Sequence, residues 1–178
     1  MTITIRQEQI EDYVTTEKVV KTAFEGMELS DQTEHELVAR IRGAEVFVPE
    51  LSLVAVDDKT KEIIGHILLS KMKIVNKEHA VESLALAPVS VLPEYQKKGI
   101  GKRLMHEALN KAKELGYKSV IVMGHPEYYP KFGFKKASLW DINPPFDVPD
   151  EAFMALPLEE HALDNVSGVV EYPSVFFE

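Results

Sequence analysis

The chain of 178 residues contains no cysteine and a single tryptophan. Without a thiol there is no disulfide, no thiolate metal site and no cysteine nucleophile. No apolar run approaches the roughly 18 residues of a membrane span. The opening Met1-Thr2-Ile3-Thr4-Ile5-Arg6 lacks the basic and long apolar regions of a signal peptide. We therefore expect a cytoplasmic protein with no membrane partner. Positive charge is also scarce: 20 Lys and Arg stand against 29 Asp and Glu, a net −9. Binding to phosphate backbones needs a broad basic field, so no nucleic-acid partner is expected.

What is present is globular in texture, with 45% apolar and 28% charged residues, enough for one domain with a substantial core. Ile3 and Ile5 alternate with polar neighbours as in a strand with one buried face. The spacing of Ile10, Tyr13, Val14, Val19, Val20, Ala23 and Phe24 predicts a helix over about 9–25, and Leu37, Val38 and Ile41 predict a second one ending near Gly43. Leu51–Val56 and Ile63–Val75 read as a hairpin around Asp57-Asp58-Lys59-Thr60. Val81–Val91 is a further strand-like run with a proline inside it. Ile100, Leu104, Ala108, Leu109, Ala112 and Leu115 recur at helical spacing, and Ser119–Met123 is a short buried strand. After Trp140 the prolines multiply, and Phe153–Leu158 and Val166–Tyr172 read as edge strands of a tail packed on the main sheet. We expect a single domain over 1–178, with a core to residue 137 and the tail from 138 on.

Strand, loop, helix and strand from Val81 to Met123 form a βαβ unit, and ligands of such units sit beyond the carboxyl ends of the strands. That place is Lys97-Lys98-Gly99-Ile100-Gly101-Lys102-Arg103, four cations in seven positions of an acidic chain. Glycine permits positive φ and close approach of a ligand to the backbone. The unpaired N–H groups and dipole of the following helix favour an anion. Taken alone, the same pattern is also that of a glycine turn with solvated lysines. It is not a P-loop, which needs four residues between its glycines and then Lys-Ser/Thr. Nor is it a dinucleotide fingerprint, whose third small residue would fall on Leu104.

Leu86 to Leu104, with Pro93-Glu94 and then Gln96-Lys97-Lys98-Gly99-Ile100-Gly101, resembles the signature of the GNAT superfamily of N-acetyltransferases. Tyr128-Tyr129-Pro130-Lys131-Phe132-Gly133-Phe134 resembles that family's second landmark, a tyrosine four residues before Gly-Phe. The tail stretch Ser167 to Pro173 resembles that of a small bacterial subgroup with a Ser-Gly-x-Val-x-Tyr-Pro motif. The resemblance implies an α/β fold: a mixed, largely antiparallel sheet flanked by helices, with splayed parallel strands around the cofactor. It implies acetyl-CoA as cosubstrate, an amine acceptor, direct transfer in a ternary complex, and a dimer as a common assembly. A non-catalytic acyl-CoA sensor on the same fold is the alternative.

By the same resemblance, the backbones of Val89, Ser90 and Val91 meet the pantetheine arm, and the Val91 N–H faces the thioester oxygen. Gln96 fixes the cofactor-binding loop, the amides of Lys97, Lys98, Gly99, Ile100, Gly101 and Lys102 cradle the pyrophosphate, and the side chains of Lys97, Lys98, Lys102 and Arg103 are candidates for the nucleotide phosphates. Tyr129 aligns with the acid that protonates the departing thiolate, and Tyr128 is expected to point elsewhere. The family's strand glutamate falls on Ala85, which cannot act as a base. Glu82 lies three residues earlier and on the opposite face unless a bulge intervenes. His66 and His125 are the other candidates, and a water chain or an already neutral amine needs no base at all. No metal site is expected.

Overall fold

The computed structural model describes residues 2–28 and 30–178. Nine strands and three α-helices of the described residues build it: β1 (Ile3–Gln7), α1 (Tyr13–Phe24), α2 (Glu34–Arg42), β2 (Phe47–Asp57), β3 (Ile63–Val75), β4 (Ala80–Val91), α3 (Ile100–Glu114), β5 (Ser119–Met123), β6 (Lys135–Lys136), β7 (Ile142–Asn143), β8 (Phe153–Pro157) and β9 (Gly168–Glu171). One sheet runs β1-β2-β3-β4-β5-β8-β6. It is antiparallel except where β4 pairs with β5 and where β7 pairs with β9. The mixed, largely antiparallel sheet flanked by helices is therefore the observed architecture.

The helix α3 buries Ile100, Leu104, Met105, Ala108, Leu109 and Ala112 on one side. That stripe packs on Leu53, Ile67, Leu69, Leu84 and Leu86 in the largest core cluster. The other face of the sheet is shared. α1 and α2 cover part of it through Val20, Val38 and Ile41 against Leu68. The tail covers the rest: Ile142, Phe153, Leu163 and Val170 pack with Met72, Ile74, Ala85 and Ile121. β9 pairs with Lys73–Val75 of β3, a stretch beyond the Ser70 at which β3's pairing with β2 ends. Arg40 Nε then anchors the last turn by donating to the Val175 carbonyl at 2.8 Å.

Two local expectations are corrected. The first helix begins at Tyr13 after a short 3-10 turn, and Ile10 and Val14 are 78% and 67% exposed rather than core-facing. Arg6 and Asp12 hold that turn with a salt bridge of 2.6 Å, so the entry is set by charge and not by apolar spacing. β8 and β9 are also not edges: β8 lies between β5 and β6, and β9 between β3 and β7.

Candidate active site

β4 and β5 stay paired for only two registers, Leu84 with Val120 and Ala85 with Ile121. Beyond them β5 follows β8, with Val122 opposite Met154 and Met123 opposite Phe153. β4 keeps to β3 instead, with a bulge between its Leu86 and Val89 registers that contains Pro88. A proline is accommodated there because the bulge needs no ladder donor from it. The two parallel strands therefore part like a wedge, and the carboxyl half of β4 has β3 on one edge only.

The orientation of that free edge follows from the ladder. Leu92 N–H donates to the Ile64 carbonyl on β3 at 2.9 Å. Backbone groups alternate along an antiparallel strand, so those of Val89 and Val91 turn away from β3 into the wedge. The Val91 carbonyl is met there by Gln96 Nε2 at 3.0 Å, which ties the loop to the end of the strand. Ser90 faces the other way, pairing with His66, and its hydroxyl is buried.

The loop enters α3 through two left-handed residues, Lys97 at φ +63° and Gly99 at φ +81°. The first helical bond runs from Arg103 N–H to the Gly99 carbonyl at 3.1 Å, so the amides of Ile100, Gly101 and Lys102 precede it and have no intrahelical acceptor. Lys97, Lys98 and Lys102 are exposed. Arg103 differs from expectation: its guanidinium donates to the Ile3 carbonyl at 2.9 Å and fastens α3 to β1. Tyr95 fixes the other end of the loop by donating to Asp57 at 3.1 Å. The broad groove beside that contact, about 880 Å³, carries Asp57, Asp58, Glu62 and Glu94 against Lys59 and Lys98. Its carboxylate excess makes it a poor host for a polyphosphate.

The two tyrosines of the second landmark diverge. Tyr129 is buried, its ring 5.8 Å from Phe134 and 5.1 Å from Tyr128, each in an edge-on arrangement. It lies so close to the end of β5 that a Cβ on Gly124 would overlap its ring. Burial pushes its phenol up to about 12. The Tyr128 hydroxyl stands over the first turn of α3, 3.3 Å from where a Gly101 Cβ would be, with the Val91 side chain on the same spot at 3.8 Å. The expectation that Tyr128 points elsewhere is corrected: it caps the 3-10 turn Tyr129–Phe132 and faces the start of α3.

Two of the three base candidates, Glu82 and His66, lie away from the wedge. Glu82 is exposed, pairs with Lys73 near the start of β4, and its charge acts on Tyr117, just past the far end of α3. Nine residues of strand, roughly 30 Å, separate it from Val91. The bulge falls after Ala85 and so does not change its face. His125 is exposed on the turn after β5. His66 is fully buried, its Nε2 3.0 Å from Ser52 Oγ, which donates to Glu8 at 2.8 Å. The serine's one proton goes to the carboxylate, so His66 carries its own on Nε2 and leaves Nδ1 bare. Burial pushes its pKa down to about 4 against the opposing pull of Glu8, and the nearby Arg42 lowers it further. Arg42 itself bridges Glu8 at 2.6 Å and Glu17 at 2.7 Å, which fastens α1 and α2 to the sheet.

The family model described as Acetyltransferase (GNAT) family matches residues 10–134. An Escherichia coli relative, the uncharacterized N-acetyltransferase YhbS, is 32% identical over 126 residues, covering 71% of this chain and 74% of its own. A second, YjhQ, is 34% identical over 119 residues, 66% of this chain and 65% of its own. Among solved structures, that of YhbS in complex with CoA superposes with a TM-score of 0.88 at 28% identity, covering 99% of this chain and 92% of the other. A GNAT family acetyltransferase from Brucella melitensis in complex with acetyl-CoA gives 0.78 at 31% identity, with 98% of each chain covered. The wedge, the glycine loop and the paired tyrosines are thus set in a scaffold shared over nearly its whole length with these two solved structures, and the chain belongs to the GNAT family of acetyltransferases.

Proposed function

We propose that this chain moves an acetyl group from acetyl-CoA to an amine by direct transfer in a ternary complex, as one acyltransferase unit of 178 residues. The observation that carries the reading is the convergence at one end of β4. The free backbone edge at Val89 and Val91 and the amides from Lys97 to Lys102 open on the same wedge. The CoA complex of YhbS, similar over 99% of this chain, supports it. The pantetheine arm pairs along Val89 to Val91, and the pyrophosphate rests on the loop amides with Lys97, Lys98 and Lys102 around it. Arg103 serves the scaffold. The tail motif from Ser167 to Pro173 extends the likeness to a subgroup, and the net charge of −9 disfavours a nucleic-acid partner.

In the reaction, the neutral amine nitrogen attacks the thioester carbonyl, and the Val91 N–H stabilises the oxyanion that forms. The C–S bond then breaks and the amine's proton leaves to solvent. The thiolate takes a proton from a tyrosine that solvent later restores. Tyr129 has the landmark position for this task, and at about 12 its phenol stays protonated at every working pH. Tyr128 is the second candidate, because its hydroxyl is the one that overhangs Gly101. Release of free CoA thiol from acetyl-CoA in the presence of an amine library tests the proposal. Binding without turnover of any amine would make the chain a sensor instead.

A further inference from the structure

At the vertex of the wedge, on the face away from α3, lies a cavity of about 240 Å³. Its floor is Ala85, Leu86 and Ala87 of β4 with Ile121 and Met123 of β5, the residues at which the two strands part. Its walls are Phe146, Tyr172, Phe176 and Phe177, completed by Leu37 of α2. The aromatic rings lean on one another, with Tyr172 5.2 Å from Phe176 and 6.0 Å from Phe146. All four aromatic walls lie outside the residues 10–134 that match the family model, while the floor and Leu37 lie within them, so the tail supplies the aromatic part of this cavity. No lining residue carries a formal charge, and Tyr172 contributes the one polar side-chain group.

We infer that the acceptor is a small primary amine whose short arm ends in an aromatic ring, the ring seated among Phe146, Tyr172, Phe176 and Phe177. An apolar cavity of about 150 Å³ already admits benzene, so about 240 Å³ has room for a ring and an arm of two or three atoms. A ring on the walls sends the amine toward Ala87, two to four residues or roughly 7–13 Å of strand from the Val89–Val91 stretch along which the proposed acyl-pantetheine arm lies. Edge-on ring contacts reward an aromatic arm over an aliphatic one. A second ammonium or a sugar would be stripped of water here with no carboxylate to receive it. The inference rests on the acetyltransferase reading and narrows it.

The experiment uses the full chain with saturating acetyl-CoA and follows free thiol with phenethylamine, tryptamine, ethanolamine and spermidine. The aryl amines are expected to exceed the other two in kcat/KM by about tenfold or more. Phe146→Ala and Phe177→Ala remove wall rings from partly exposed positions, 40% and 68% accessible. Each is expected to raise KM for the aryl amine about tenfold and to leave the acetyl-CoA-induced rise in melting temperature unchanged. Spermidine or ethanolamine turned over as well as the aryl amines would overturn the inference, as would wall variants without effect. So would acetyl-CoA binding with no aryl amine bound or turned over. Absence of acetyl-CoA binding would instead overturn the underlying function.

Discussion

The two loop glycines, Gly99 and Gly101, are required by different physics, and substituting alanine at each separates the two requirements. Gly99 sits at φ +81° with nothing within 4 Å of an added Cβ, so its cost is conformational alone. A left-handed alanine costs roughly 1–2 kcal/mol, which for a chain of this size lowers the melting temperature by about 2–8 °C. Gly101 lies within the first turn of α3 and meets only the Tyr128 hydroxyl at 3.3 Å and Val91 at 3.8 Å. A phenol tip can yield by a few tenths of an ångström, and helix propensity rewards the change by up to about 1 kcal/mol. Gly101→Ala is therefore expected to melt at the same temperature as the parent or as much as about 4 °C higher. Its acetyl-CoA response moves the other way, because the new methyl stands where the ligand approaches the backbone. At a hundredfold excess over Kd the parent gains about 2.7 kcal/mol, or about 5–11 °C. Gly101→Ala is expected to lose more than half of that gain, a tenfold or greater loss of affinity at about 1.4 kcal/mol. Differential scanning fluorimetry with and without acetyl-CoA reads both numbers. A Gly99→Ala chain as stable as the parent, or a destabilised Gly101→Ala chain that still responds fully to acetyl-CoA, would refute the reasoning.

Tyr129→Phe is expected to lower kcat by roughly 10–1000-fold with acetyl-CoA affinity retained; if Tyr128→Phe carries the loss and Tyr129→Phe does not, the acid is the tyrosine over Gly101. With Ala85 at the position where the family resemblance puts a glutamate, kcat/KM should rise toward alkaline pH with the acceptor's own ionisation. Glu82→Gln and His125→Ala should each cost less than about tenfold, and a loss nearer the ~10²–10⁴ of a dedicated base would contradict the placement. His66 sets a stability window: its pKa is 6.5 unfolded and about 4 folded, so the unfolded chain binds the proton first. Stability from this group is complete above about 6.5 and falls as pH drops toward 4, by about 3 kcal/mol in all. Chemical denaturation across that range should show the decline, and His66→Gln should flatten it.

The scaffold was legible because its periods are clean. The α3 stripe from Ile100 to Ala112 is buried as its spacing predicts, whereas the parting of β4 from β5 was implied only by the family resemblance. The turn at Ile10 was misjudged because apolar spacing does not reveal the Arg6–Asp12 bridge that sets the chain's entry. Arg103 looked like a phosphate ligand because sequence shows its neighbours along the chain and not the Ile3 carbonyl, 100 residues away, that it holds. The face of Glu82 followed correctly from strand parity, since the bulge comes later. The aromatic cavity left no local signal. Its walls come from Leu37, the middle of β4, the end of β5, Phe146 and the last residues of the tail, and only the fold brings them together.

Calorimetric titration of the intact chain with acetyl-CoA tests the central claim most directly. The wedge and the loop amides predict saturable binding near one molecule per chain, lost in a Gly101→Val variant that keeps the parent's circular dichroism. No heat and no rise in melting temperature at millimolar acetyl-CoA would contradict it.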